Sequence, residues 1–169
     1  MVSAVQVRPA GAADWRELRE VRLAALAQDP AAFGSTLARE QAFDDGVWQE
    51  RAGAGRTFLA YLGPDVVGIL TYLPVPDRPD ERHLVGMWVA PSARRAGVGQ
   101  ALLDAVQAAA VRDGARRLSL DVADGNDAAR RLYERRGFRA TGEREPLGAD
   151  RCAGQERFVL DLAGGPEGG

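Results

Sequence analysis

The chain of 169 residues contains no lysine; all 22 of its basic side chains are arginine. It also has a single histidine (His83), a single cysteine (Cys152), a single asparagine (Asn126) and a single isoleucine (Ile69). Each shortage removes a class of chemistry. One cysteine cannot close an internal disulfide, which points to a reducing, cytoplasmic setting. One cysteine with one histidine cannot build a structural zinc site, so no metal is expected. Without lysine there is no Schiff base, no phosphate-loop lysine and no lysine general base. No apolar run approaches the roughly 18 residues of a membrane span, and Met1 to Arg8 lacks the apolar stretch of a signal peptide. A net charge of −2 argues against non-specific binding to nucleic acid.

What remains is the composition of a folded domain. Hydrophobic residues at 46% and charged residues at 27% exclude a disordered or collagen-like chain. The length suits one domain, expected over residues 1–162, with a disordered Gly/Pro tail over 163–169. Val5 and Val7 read as a first strand. Asp14 and Glu17 form a capping-box pattern ahead of a helix that carries Trp15, Leu18, Val21 and Ala25 on one face and ends at Asp29-Pro30. Phe33 to Glu50 reads as a broken helix, with Ser35 and Asp45 as N-caps and Gly46 dividing the pieces. Thr57 to Leu62 and Val66 to Leu73 are strands joined by Gly63-Pro64-Asp65, a hairpin signal. Pro74 to Arg82, rich in proline and charge, reads as an exposed loop.

The pattern then becomes regular. Leu84 to Val89 is a strand, Ala90 to Ala96 a loop, and Val98 to Asp113 a helix with Leu102, Leu103, Val106 and Ala110 on its buried stripe. Gly114 is its C-cap. Arg117 to Val122 alternates, placing Leu118, Leu120 and Val122 on one face and Ser119 and Asp121 on the other. A helix runs from Asn126 to Arg136, and Phe138 to Glu143 and Arg157 to Leu162 are the last strands. The fold class is therefore α/β, a mixed sheet with helices on both faces.

One segment, Val89-Ala90-Pro91-Ser92-Ala93-Arg94-Arg95-Ala96-Gly97-Val98-Gly99-Gln100, places two arginines and two glycines at the mouth of an apolar helix. Helix-start amides are unpaired and carry partial positive charge, so a phosphate suits the place. The same glycines could equally do no more than start a helix. A dinucleotide fingerprint is excluded by Leu102 at the third glycine position and by the long loop before Gly97.

Val89-x-Pro91 followed by Arg94-x-x-Gly97-x-Gly99 resembles the acyl-CoA pyrophosphate signature of the GNAT superfamily of N-acetyltransferases. Asn126-x-x-Ala129-x-x-Leu132-Tyr133-x-x-x-Gly137-Phe138 resembles that family's second signature at every fixed position. The resemblance implies a GNAT fold: a mixed, mostly antiparallel sheet splayed between strands four and five, with acetyl-CoA as co-substrate. It implies that Met87, Trp88 and Val89 bond the pantetheine arm through their backbones. Arg95, Ala96, Gly97, Val98, Gly99 and Gln100 would present amides to the pyrophosphate, beside Arg94, the signature arginine. Asn126 would serve as cofactor ligand, helix N-cap, or both.

The resemblance makes Tyr133 the general acid that protonates the departing thiolate; read from spacing alone, it is a packing residue on the helix face. An aliphatic ammonium must also lose a proton at pH 7, against about 3.4 pKa units or about 4.6 kcal/mol. Asp121 resembles the position of a proposed glutamate base in ribosomal-protein alanine N-acetyltransferases. It could also be a solvated sheet-face carboxylate, and His83, Glu81 or a water relay are the other candidates. Asp29 to Thr36 resembles a stretch of small bacterial members and implies Phe33 near the acceptor. Specificity is expected from Phe33 to Glu50, Pro74 to Arg82 and Glu143 to Gln155. Glu40, Asp44 and Asp45 there are either a draw for a cationic amine or a solvated helix edge.

Two functions follow. The first is direct acetyl transfer, through a tetrahedral intermediate, to a primary amine of a small molecule or a peptide N-terminus. Cys152, outside both signatures, takes no part in it. The second is a non-catalytic acyl-CoA-binding regulatory module. The acceptor amine is the expected partner, with no membrane or nucleic acid; many relatives dimerise through their C-terminal strands, so a homodimer is a further expectation.

Overall fold

A computed structural model describes residues 4–147 and 154–162, within which five α-helices and seven strands follow one another along the chain. Their order is β1 (Val5–Pro9), α1 (Trp15–Gln28), α2 (Leu37–Gln41), α3 (Asp45–Gly53), β2 (Thr57–Leu62), β3 (Asp65–Val75) and β4 (Arg78–Val89). There follow α4 (Val98–Arg112), β5 (Arg117–Ala123), α5 (Asp127–Arg135), β6 (Arg139–Pro146) and β7 (Gly154–Asp161). The strands form one sheet in the order β1-β2-β3-β4-β5-β7-β6. Every neighbouring pair is antiparallel except β4 and β5, which run parallel. The fold is the mixed α/β sheet that the strand pattern predicts. The expected tail over 163–169 and Cys152 lie outside the described residues.

Alternation along the strands separates two cores. Leu118, Leu120 and Val122 of β5 join Phe58, Leu70 and Leu84 beneath α4 and α5. On the opposite face, Leu59, Ile69 and Trp88 meet Leu18, Val21 and Ala25 of α1 and Trp48 of α3. The period of two therefore sends Ser119 and Asp121 of β5 to the α1 side of the sheet. There His83 of β4, Ser119 and Asp121 of β5 and Arg157 of β7 share a face with the buried Val159.

The single parallel pair is also the short one. β4 and β5 are in register only from Glu81 to Leu84 against Arg117 to Leu120. Beyond Leu84 the strands part, because β4 carries an extra residue. Thr71 faces Val85 and Ile69 faces Trp88, so two intervening residues of β4 oppose one of β3. Gly86 sits in this bulge with φ of +68°, a left-handed conformation that a side chain disfavours. A bulge bends its strand and ends pairing on one edge, which opens the gap toward β5.

Several local expectations shift. Pro74 to Arg82 is not a loop: β3 and β4 continue through it as a hairpin whose turn holds Asp77 at φ of +65°. Glu81 and Arg82 are only 2% and 9% exposed there. Charge-rich composition suggests solvent exposure, but both charges have distant partners. Arg157 and Arg78 take Glu81, and Asp113 takes Arg82 at 3.0 Å. The caps are displaced by one residue. Thr36, not Ser35, accepts from Arg39 N–H to start α2, and Asp44, not Asp45, accepts from Val47 N–H to start α3. Gly46 lies inside α3. Asp14 does not cap α1 with its side chain; it accepts from Gly11 N–H and pairs with Arg8, while Glu17 accepts from the Tyr61 hydroxyl.

Candidate active site

The gap between β4 and β5 opens into a cavity of about 1080 Å³ that runs from α5 across the sheet to α1 and α3. Its β4 wall presents backbone. Ala90 N–H is bonded to Val67 O across β3 at 2.8 Å. Alternation then turns the peptide groups of Met87 and Val89 away from β3, toward the gap. Trp88 differs: its backbone faces Ile69 of β3, and its indole N–H donates to Asp29 at 2.8 Å. Within β4 the edge facing the gap is thus supplied by the residues flanking Trp88.

Arg94 joins this wall to the end of α1. Its Nε donates to Val89 O at 3.1 Å and its Nη2 pairs with Asp29 at 2.8 Å. Asp29 therefore receives both the Trp88 indole and the signature arginine, a junction that no local motif announces. Beyond it the chain takes left-handed turns at Arg95 (φ +71°) and Gly97 (φ +79°) before α4 begins. A Cβ on Gly97 would meet no protein atom within 4 Å, so that side of the turn is open. On Gly99 a Cβ would come within 3.2 Å of Met87 Cε and 3.4 Å of Leu132 Cδ2. Gly99 lets α4 approach β4 and α5, whereas Gly97 supplies the turn. Ala96 is exposed, Val98 is buried and can offer only its amide, and the Gln100 side chain accepts from Arg136 at 3.3 Å. The first amides of α4 have no intrahelical acceptor and face the open side of the turn.

α5 closes the other wall. Asn126 caps it, Oδ1 accepting from Ala129 N–H at 3.2 Å, which leaves its amide NH₂ for a ligand. Tyr133 lines the cavity while only 6% exposed, its ring edge-on to Phe138 with centroids 5.7 Å apart. Burial alone pushes its phenol above the ordinary tyrosine value, so it carries its proton at neutral pH.

Across the gap, Asp121 of β5 also lines the cavity. Its Oδ2 lies 3.3 Å from His83 Nε2 and 3.4 Å from Gln155 Nε2. His83 Nδ1 is 2.8 Å from Ser119 Oγ, which is fully buried. The two ring nitrogens of His83 thus face Asp121 and Ser119, and either Nδ1 or the serine hydroxyl can be the donor in their bond. Glu81 is removed from such work, because its buried carboxylate is occupied by Arg157 and Arg78. Sequence reasoning named Asp121 and His83 separately. Their pairing comes from the register of β4 on β5, which puts His83 opposite Ser119.

The far end of the cavity reaches Phe33, Glu40 and Phe43. Glu40 is not a solvated edge. It is 1% exposed and accepts from Arg22 Nε at 3.0 Å, Arg22 Nη2 at 2.9 Å and Arg51 Nη1 at 3.3 Å. Burial works to raise its pKa, but the bonds and charge of Arg22, with Ser35 and Arg51, outweigh it and hold the carboxyl below its ordinary range.

Residues 16–138 match the sequence profile of the acetyltransferase (GNAT) family, which covers most of the chain. The chain belongs to the GNAT family. Solved structures agree on the GNAT fold at low identity. YncA of Salmonella typhimurium, a putative acetyltransferase described with acetyl-CoA, superposes with a TM-score of 0.78 at 21% identity, over 95% of each chain. Ribosomal-protein-alanine N-acetyltransferase of Brucella melitensis gives 0.73 at 22% identity, over 93% of this chain and 99% of its own. Diaminobutyrate acetyltransferase EctA of Paenibacillus lautus, with substrate and coenzyme A, gives 0.70 at 20%, over 94% and 95%. Within the described residues of this GNAT protein, no helix is long and apolar enough to span a membrane.

Proposed function

We propose that the protein transfers an acetyl group from acetyl-CoA directly to a primary amine of a small molecule or a peptide N-terminus, with Tyr133 as general acid and Asp121 as general base. The observation that carries this reading is that both side chains line one cavity, at the place where β4 and β5 separate. Acetyl-CoA, the co-substrate of the family, supplies an electrophilic thioester carbonyl and a thiolate leaving group. The site fits it. The peptide groups of Met87 and Val89 line the gap for the pantetheine arm, and the open turn at Gly97 with the first α4 amides suits the pyrophosphate. Asn126 keeps donors for the same ligand, and the exposed Arg95 adds charge at the turn. Arg94 acts through its bonds to Val89 and Asp29, which hold the β4 edge in place.

Within this frame Asp121 accepts the ammonium proton, directly or through a water. His83 lies 3.3 Å behind it and helps to position the carboxylate, while Ser119 orients the ring. Tyr133 is largely buried, so its proton would be retained until a thiolate develops beside it. Direct transfer asks for no enzyme nucleophile.

The test is coenzyme A release from acetyl-CoA over a panel of polyamines, aminoglycosides, amino acids and peptides, with wild type and Tyr133→Phe. Turnover by the wild type, lowered about 10²- to 10⁴-fold in the variant with coenzyme A affinity retained, is the expected result. Cofactor binding without thiol release to any amine would instead identify a non-catalytic binding module.

A further inference from the structure

The acceptor end of the cavity holds more positive than negative charge. Arg22, Arg39, Arg51 and Arg56 line it against Glu40 and Glu50. One carboxylate, Glu40, is shared by two guanidiniums, and no described residue forms an ion pair with Arg39 or Arg56. Arg22 is the inner member. Its side chain is 17% exposed, its guanidinium carbon lies 4.9 Å from the centre of the Phe33 ring, and Nε and Nη2 are spent on Glu40. Nη1 has no acceptor among the described residues. It lies against Gly86, where an added Cβ would come within 3.0 Å of it. Gly86 is the residue at which the gap begins to open, next to the peptide groups that face the cofactor arm. A largely desolvated guanidinium thus presents one unused pair of N–H donors at the point where acceptor and thioester must meet.

We infer that the acceptor amine carries an anionic group, a carboxylate or a phosphoryl group, that binds Arg22 Nη1 while its amino group faces Asp121. This deepens the acetyl-transfer reading and rests on it. Desolvated cations are stabilised by charge-assisted bonds to an anion, and Arg22 has room for one more. A polycation such as spermidine would meet four guanidiniums, with Glu40 already occupied and Glu50 the other carboxylate at that end. The ammonium end of the ligand would instead find Asp121 and His83, so the two ends of a zwitterion have separate partners along the cavity.

Matched acceptors provide the test: amino acids, their carboxamides, the corresponding aminophosphonates, and spermidine, each scored by coenzyme A release. The proposal expects acids to exceed their own amides by about tenfold or more in kcat/KM, in line with one charge-assisted bond. The aminophosphonate arm then tells which anion is preferred. In the double variant Arg22→Gln/Glu40→Gln, which removes both partners of the inner pair, that preference should fall to about threefold or less. Coenzyme A affinity and a cooperative melt should persist, showing that the variant is folded. Amides or spermidine acetylated as well as the acids would overturn the anion proposal and leave acetyl transfer intact. An acid preference that survives in the folded double variant would remove Arg22 as its cause and overturn the assignment. Coenzyme A binding with no transfer to any acceptor would overturn both readings.

Discussion

Where β4 and α5 border the cavity, beside the turn that leads into α4, the groups on offer are peptide amides, an amide cap and one phenol, with two glycines in the adjoining turn. Where α1 to α3 border it, they are guanidiniums and a buried carboxylate. The first side rests on geometry: Gly97 takes a φ of +79°, and the bulge at Gly86 parts β4 from β5. The second needs charge balance, because Glu40 is 1% exposed and depends on Arg22 and Arg51. Backbone can hold the invariant part of a co-substrate without reference to side-chain identity. Side-chain charge can be changed to suit an acceptor without disturbing that part.

The sharpest way to separate the two sides begins between them, at Asp121. Asp121→Asn should lower kcat about 10²- to 10⁴-fold at neutral pH without altering coenzyme A affinity. Its residual rate should climb as pH approaches the amine's own pKa, because the free amine then no longer needs the base. A flat profile would count against Asp121 as the proton acceptor.

Stability should respond most on the acceptor side. Glu40→Gln leaves Arg22 mostly buried without its counter-charge, and a loss of about 3 kcal/mol is expected in urea unfolding. On the cofactor side Gly97→Ala should cost only about 1 kcal/mol, from the left-handed backbone, because a Cβ there meets no protein atom. Its larger consequence should be weaker coenzyme A binding, measured by calorimetry, since the same Cβ projects into the open turn. Asn126→Ala should remove a cap worth about 1 kcal/mol and weaken coenzyme A as well. A stability loss with unchanged affinity would reduce Asn126 to a cap.

The smallest effect is in pH dependence. The Glu40 pKa is lower in the folded protein than in the unfolded chain, so its stabilising contribution is complete above about 4.3 and lost as pH falls through the folded value. Glu40→Gln should therefore flatten the stability curve on the acid side below about pH 4.3. An equally steep acid limb in the variant would show that other carboxylates carry it.

The two signatures and the elements that carry them were legible because their parts are local. Arg94 to Gly99 form one loop and helix start, and Asn126 to Phe138 one helix, so spacing along the chain equals spacing in space. Gly86 offered a signal that could have been used: an isolated glycine in a strand often marks a bulge. The acceptor side was misjudged for the opposite reason. Glu40 looked like an edge charge because its partners lie on α1 and at the end of α3, and Glu81 looked exposed because Arg157 lies two strands away.

The amino-acid sequence by itself determined the element order, the glycine-bearing start of α4, the cap of α5 and the two signatures that mark the family. These follow from short-range rules of periodicity, glycine conformation and capping. Only the tertiary structure decided that Asp121 is backed by His83 and Ser119, that Arg94 is tied to Asp29, and that Arg22 Nη1, with no acceptor among the described residues, lies beside Gly86. Each of these joins residues distant in sequence through sheet register or helix packing. A buried charge shows its partner only when the chain is folded.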